Sequence, residues 1–226
     1  MNGPFRGRFL QAGSDDACCR QLSFRFVEST PLGKTPVVSW ATVRGRDVRA
    51  GGSTMDVCAI KVTLLGTKPP VWRRFLVEQD ITLRQLHKTL QVVMGWTDSH
   101  LHQFVFNRRK QPDGILLGAL FRAPGTKLIY EYDFGDGWQH EVLLEEVLLG
   151  DESFRPICLA GERNCPPEDC GGPYGYAELL QALRDPRHPE HNYFKHWLGE
   201  PFAPEHFSAD EINRKLKHKK SGVRRG

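Results

Sequence analysis

Between Tyr130 and Val142 the chain reads YEYDFGDGWQHEV, two alternating arms around Gly135-Asp136-Gly137. Two glycines tolerate positive φ, and an aspartate can bond its own backbone, so the segment predicts a β-hairpin. With Phe134 paired to Trp138 across a three-residue loop, Tyr132 faces His140, Tyr130 faces Val142 and Leu128 faces Leu144. That gives one aromatic and apolar face with a histidine in it. The opposite face holds Ile129, Glu131, Asp133, Gln139, Glu141 and Leu143. It sets Glu131 across from Glu141, and like charges across a ladder are unfavourable.

Other segments extend the pattern. Cys58–Leu65 and Val71–Val77 are β-rich runs separated by Gly66–Pro70, a second hairpin. Ile81–Gly95 predicts a helix. Thr82 and Gln85 form a capping box, Ile81 and Leu86 a hydrophobic staple, and Gly95 the stop. Leu83, Leu86, Leu90 and Val93 make its buried stripe. His102–Phe106 reads as a third strand, residues 107–126 as a polar connection, and 150–173 as a long Pro- and Gly-marked irregular segment. Three helices close the chain: Tyr176–Arg184, Pro189–Leu198 and Ser208–Lys217, the last with Ser208 and Glu211 as a capping box. The order ββαβ plus hairpin predicts an α+β fold, a β-grasp-like roll with a C-terminal helical subregion. Residues 1–54 show no sustained period and are expected to be a disordered extension, with short strands conceivable at Leu22–Val27 and Val37–Val43. The compact domain is expected over 55–217, starting at Met55, with 218–226 a basic tail.

Charge is unevenly spread. Residues 55–213 hold 16 basic and 23 acidic residues, whereas 214–226 hold seven basic residues and no acid. An acidic body matches a phosphate backbone poorly, so nucleic-acid affinity would fall to Arg214, Lys215, Lys217, Lys219 and Lys220. No apolar run approaches the roughly 18–20 residues that span a bilayer, and no apolar segment follows Arg6 and Arg8. The expectation is a cytoplasmic protein without a membrane partner, with its six cysteines free of disulfides.

KPPVWRRFLV at 68–77, LHKTLQVVMGWTDSHLHQF at 86–104, YEYDFGDGWQHEV at 130–142 and CLAGERNCPPEDCGGPYGYAELLQAL at 158–183, followed by DPRHPEH at 185–191, together resemble the plasmid pRiA4b ORF-3-like family. Its members are often labelled TnpR-like, or passenger proteins of insertion elements. The resemblance covers about 55–217 and implies an α+β fold, a link to mobile elements and no defined activity. The label also implies site-specific recombination. Against serine-recombinase chemistry, Arg73-Arg74 lie in an expected strand with no serine nearby.

Two constellations can carry chemistry. Cys158, Cys165 and Cys170 could bind zinc with a fourth ligand from His140, His188 or His191. Their spacing departs from paired zinc ligands, and thiols that merely pin a proline-rich loop fit it as well. The second set is His100, His102, Asp133, Asp136, His140, Glu168 and Asp169, with His188 and His191 nearby. Histidines and carboxylates converging on a sheet edge can bind a divalent metal or move protons. Turn and cap roles also account for several of them, Asp136 in the turn and His140 among aromatics. Trp72-Arg73-Arg74 suits nucleic acid by composition, but the two arginines point to opposite faces of a strand. No nucleotide-binding motif is present. The residues favour a non-enzymatic binding or accessory module with an unknown protein or nucleic-acid partner. A metal-binding domain or metal-dependent enzyme, with zinc or another divalent ion as cofactor, is the alternative.

Overall fold

The computed structural model describes residues 54–218. The expectations for residues 1–53 and for Lys219, Lys220 and the rest of the tail lie outside them. Seven strands and five helices follow in the order β1 (Thr54–Leu64), β2 (Val71–Glu78), α1 (Leu83–Met94), β3 (His102–Phe106), β4 (Arg109–Gln111), α2 (Leu117–Leu120), β5 (Lys127–Tyr132), β6 (Trp138–Asp151), β7 (Ile157–Glu162), α3 (Gly172–Arg184), α4 (His191–Leu198) and α5 (Ala209–His218). The class is α+β with C-terminal helices. The strands form one open sheet in the order β4-β3-β5-β6-β1-β2-β7, and every neighbouring pair is antiparallel.

The ββαβ-plus-hairpin order is present, with β4 and β7 added at the two edges. The sequence pattern of both segments predicts loop. β4 is three residues long and has no apolar alternation. β7 lies in the Pro- and Gly-marked segment, and its pairing with β2 slips register between Arg74 and Phe75. α3 begins at Gly172, ahead of the expected Tyr176, with Pro173 in its first turn.

One face of the sheet carries the main core. Ile60, Leu64, Phe75, Phe104, Tyr130 and Val142 all have under 2% of their surface exposed. α1 lies on this face. Its Leu83, Leu86, Leu90 and Val93 are buried as the 3.6-residue spacing requires. Thr82 and Gln85 make the reciprocal capping box, and Gly95 ends the helix at φ 97°. The opposite face holds a smaller apolar group around Val57, Ala59 and Leu76.

The β5–β6 hairpin differs from the expected register. Its loop is Asp133–Gly137, and Tyr132 pairs with Trp138, Tyr130 with His140 and Leu128 with Val142. The pairing has shifted by two residues, so every side chain keeps its face. The cause is Asp133. It takes φ 54°, its carbonyl accepts from Gly137 N at 2.7 Å, and its Oδ1 accepts from the amides of Gly135 (3.0 Å) and Asp136 (3.3 Å). An Asx turn therefore ends the first arm two residues earlier, at Tyr132. Glu131 now faces Gln139, whose Nε2 donates to it at 3.0 Å. Glu141 faces Ile129 and pairs with Lys127 at 2.9 Å. The expected Glu131–Glu141 repulsion does not arise.

Arg73 and Arg74 do point to opposite faces, and both are occupied. Arg73 is 3% exposed; its Nε donates to Val93 O at the end of α1 (3.0 Å), and its Nη1 to Trp72 O (2.8 Å) and Glu162 O (2.9 Å). Its guanidinium also lies 5.0 Å from the Phe207 ring centroid. One buried arginine thus ties β2 and β7 to α1, satisfying carbonyls that water cannot reach. Arg74 makes a two-pronged contact with Glu145 at 2.5 and 2.8 Å. Among the described residues, no helix is long and apolar enough to cross a membrane.

Candidate functional site

The hairpin has two separate roles, one for its arms and one for its turn. The arms are a seat. His140 is fully buried, its Nδ1 3.0 Å from Tyr130 O, and burial pushes its pKa down to about 4. Trp96 packs edge-on against His140 with centroids 5.0 Å apart, and stacks on Tyr132 at 4.8 Å. The Trp96 indole N–H donates to Pro166 O at 3.1 Å, so the aromatic face holds the proline-rich loop in place. Among the described residues, His140 is not part of the group of side chains that could share an ion.

The turn is where charged groups meet. His100, just before β3, places Nε2 3.3 Å from Asp169 Oδ1, 3.6 Å from Glu168 Oε2 and 3.7 Å from Asp133 Oδ2. That nitrogen is buried and has no hydrogen-bond partner. Among the described residues, the ligand atoms of His100, Asp133 and Asp169 form a group within 4.8 Å of one another. Both aspartates hold positive φ, 54° and 57°, a conformation that costs a non-glycine residue about 1 kcal/mol or more. Asp133 is buried, His100 partly so, and Asp169 exposed.

Glu168 stands at the edge of this group, held from several sides. Its Oε1 accepts from Thr97 N (2.9 Å), Thr97 Oγ1 (3.1 Å) and the Tyr132 hydroxyl (3.1 Å). Tyr132 in turn accepts from Ser99 N at 3.1 Å. Burial and then Glu168 push the Tyr132 phenol up to about 12, so it stays a donor. Asp136 serves the architecture: its Oδ2 accepts from Gly171 N at 3.1 Å, which ties the turn to the start of α3.

His102 parts company with His100. It stacks on His87 with centroids 3.6 Å apart and planes 3° from parallel, and its Nε2 lies 3.4 Å from Asp113 Oδ1. His87 contacts Tyr130 OH through Nδ1 (2.8 Å) and Asp98 Oδ1 through Nε2 (2.6 Å). Burial lowers the pKa of both histidines, and for His87 the neighbouring His102 adds to it. This pair was missed in part. His87 falls on the same helical stripe as Leu83 and Leu90, and a histidine on a buried stripe was the available signal.

The cysteines lie elsewhere. Cys158 is in β7, its backbone bonded to the Asn213 side chain of α5 at 2.7 and 2.9 Å. Cys165 and Cys170 sit in the core beside Trp96 and Tyr176. Burial raises all three thiols, Cys158 to about 11 and Cys170 to about 12, so they remain protonated. None belongs to the ligand group. His188 Nδ1, in the α3–α4 connection, accepts from Glu190 N at 3.2 Å, and His191 Nδ1, at the start of α4, lies 2.8 Å from Ala182 O of α3. Arg214, Lys215 and Lys217 are exposed on α5, whose Ile212 and Leu216 pack against the core.

Comparison with known proteins agrees with this frame. A protein of unknown function, MM3350, from Methanosarcina mazei Go1 superposes with a TM-score of 0.62 at 37% sequence identity, covering 70% of this chain and 97% of that one. The uncharacterized protein y4hQ of Sinorhizobium fredii is 38% identical over 158 residues, 64% of this chain and 81% of that protein. The model of the plasmid pRiA4b ORF-3-like protein family matches residues 56–211. These residues span β1 to α5 and include every group of the turn site, so the chain belongs to the plasmid pRiA4b ORF-3-like family.

Proposed function

We propose that this domain is a divalent-cation-binding module with His100, Asp133 and Asp169 as protein ligands. The spacing around His100 Nε2 carries the reading. Ligand atoms each about 2.1 Å from a shared ion stand about 3.0 Å apart at a right angle and about 3.4 Å apart at the tetrahedral angle. The observed 3.3–3.7 Å distances fall near this range. They are long for a direct charge-assisted hydrogen bond, which closes to about 2.7–2.9 Å. One imidazole with carboxylates suits zinc, manganese or ferrous iron better than a soft, thiolate-seeking ion. Glu168, held by Thr97 and Tyr132, orients the surroundings.

The test is elemental analysis of protein purified without chelator, followed by calorimetric titration of the chelator-stripped protein with zinc and manganese. One bound ion per chain is expected. His100→Ala and Asp169→Asn should each lower affinity by about 10- to 100-fold or more, and Cys158→Ala should leave it unchanged. A wild type that takes up no stoichiometric ion removes the reading. So does ion binding that survives both ligand substitutions.

The plasmid in the family's description supports a wider accessory role tied to mobile elements. The basic residues exposed on α5 support nucleic acid as a partner in that role. The ββαβ-plus-hairpin order supports grouping the fold with β-grasp-like rolls.

A further inference from the structure

We propose that the cleft beside the turn site is a binding pocket for a small organic ammonium. The cleft encloses about 260 Å³ where three segments meet: the end of α1 through Trp96, the loop Asn164–Glu168, and the stretch from Leu198 to Phe202. That volume lies a little below the range of about 300–1,000 Å³ for drug-sized ligands, so the ligand is a small one. Its lining mixes the aromatic Trp96 and Phe202 and several prolines with the polar side chains of Asn164, Glu168 and Glu200. Among the described residues, Glu168 and Glu200 are its only charged wall residues, and no lysine, arginine or histidine lines it.

This lining discriminates by charge. An ammonium group gains from both an aromatic face and a carboxylate once water is displaced. An anion of the same shape meets two acids and no cation. The nearest buried arginines do not change the balance. Arg73 directs its Nε and Nη1 to the carbonyls of Val93, Trp72 and Glu162. Arg163 pairs with Glu205 at 2.5 Å. The Trp96 ring is held by its bond to Pro166 O, so this wall is preformed. Glu168 belongs to the cleft wall and also lies 3.6 Å from His100 Nε2, which sets one acid between the two places where positive charge would bind.

The pocket stands independently of the cation reading, and the experiment keeps the two apart. Full-length protein is titrated with phenethylamine, phenethyl alcohol and phenylacetate, three ligands of one shape and different charge, with binding read by calorimetry and by Trp fluorescence. The amine should bind about tenfold or more tighter than the alcohol, and phenylacetate should not bind. Glu200→Gln, at an exposed position, should weaken the amine about tenfold and leave the alcohol unchanged. His100→Ala should keep amine binding whether or not the wild type takes up metal. Equal affinity for amine and alcohol, no amine binding, or indifference to Glu200→Gln would each overturn the proposal.

Discussion

At the scale of single residues, burial decides what His140 does. An unfolded histidine titrates near about 6.5, whereas burial holds this one at about 4 in the fold, opposed only by the Tyr130 carbonyl. Between those values the unfolded chain takes up a proton that the folded chain refuses. Stability is therefore full above about pH 6.5 and falls as pH drops toward about 4, by on the order of 3 kcal/mol from this group. Burial lowers His87 too, which acts in the same direction. The expected result is a urea midpoint that falls from about pH 7 to about pH 4, with a shallower fall in His140→Phe. An equally steep fall in that variant would reassign the acid sensitivity. The same scale marks the limit of reading from sequence. His100, Asp133, Glu168 and Asp169 could be named as a set from their types. Their convergence depends on two aspartates at positive φ, which composition flags for glycine and not for aspartate. His102 and His140 carried the same chemical promise, and packing took His102 into a stack on His87 and His140 into an edge-on contact with Trp96.

At the scale of elements, the turn and the start of α3 are one unit. Gly172 holds φ 68°, and a β-carbon there would run into the backbone carbonyl of Asp136. The neighbouring Gly171 amide donates to Asp136 Oδ2 at 3.1 Å. Gly172→Ala combines backbone strain with a clash against immovable backbone, so it should cost about 2–4 kcal/mol in a urea titration. It should also weaken cation binding, because the turn carries Asp133. Gly95 makes the contrast: its φ is 97°, but open space surrounds it. Gly95→Ala should cost only about 1 kcal/mol and leave the ion in place. A Gly172→Ala protein as stable as the Gly95→Ala one would show that the turn yields to α3. Elements with a strong period were legible: α1 with its caps and β3 stand where the 3.6-residue stripe or alternation put them, and the hairpin keeps its two faces while its register moves by two residues. β7 was not, because Ile157–Glu162 contains Gly161 and little alternation, and only its pairing with β2 makes it a strand.

At the scale of the whole molecule, charge separates the two proposed binding activities, for cations and for nucleic acid. The proposed cation site lies in a body, residues 55–213, with seven more acids than bases. That excess attracts divalent ions and repels phosphate. Basic charge gathers beyond it, beginning with Arg214, Lys215 and Lys217 on the exposed side of α5. A polyanion should meet only this end. With at most seven bases in 214–226, affinity for duplex DNA should fall with salt at a log–log slope no steeper than about −6. Replacing Arg214, Lys215 and Lys217 by Gln and removing residues 219–226 should abolish binding at about 0.15 M salt. Leu216 is kept because it packs on the core. Cation uptake at His100 should be unchanged in that variant, since the two regions share no ligand. Fluorescence anisotropy against salt measures the first quantity and calorimetry the second. DNA binding that persists in the variant with an undiminished slope would place a phosphate-reading surface on the acidic body, and would overturn this division of charge.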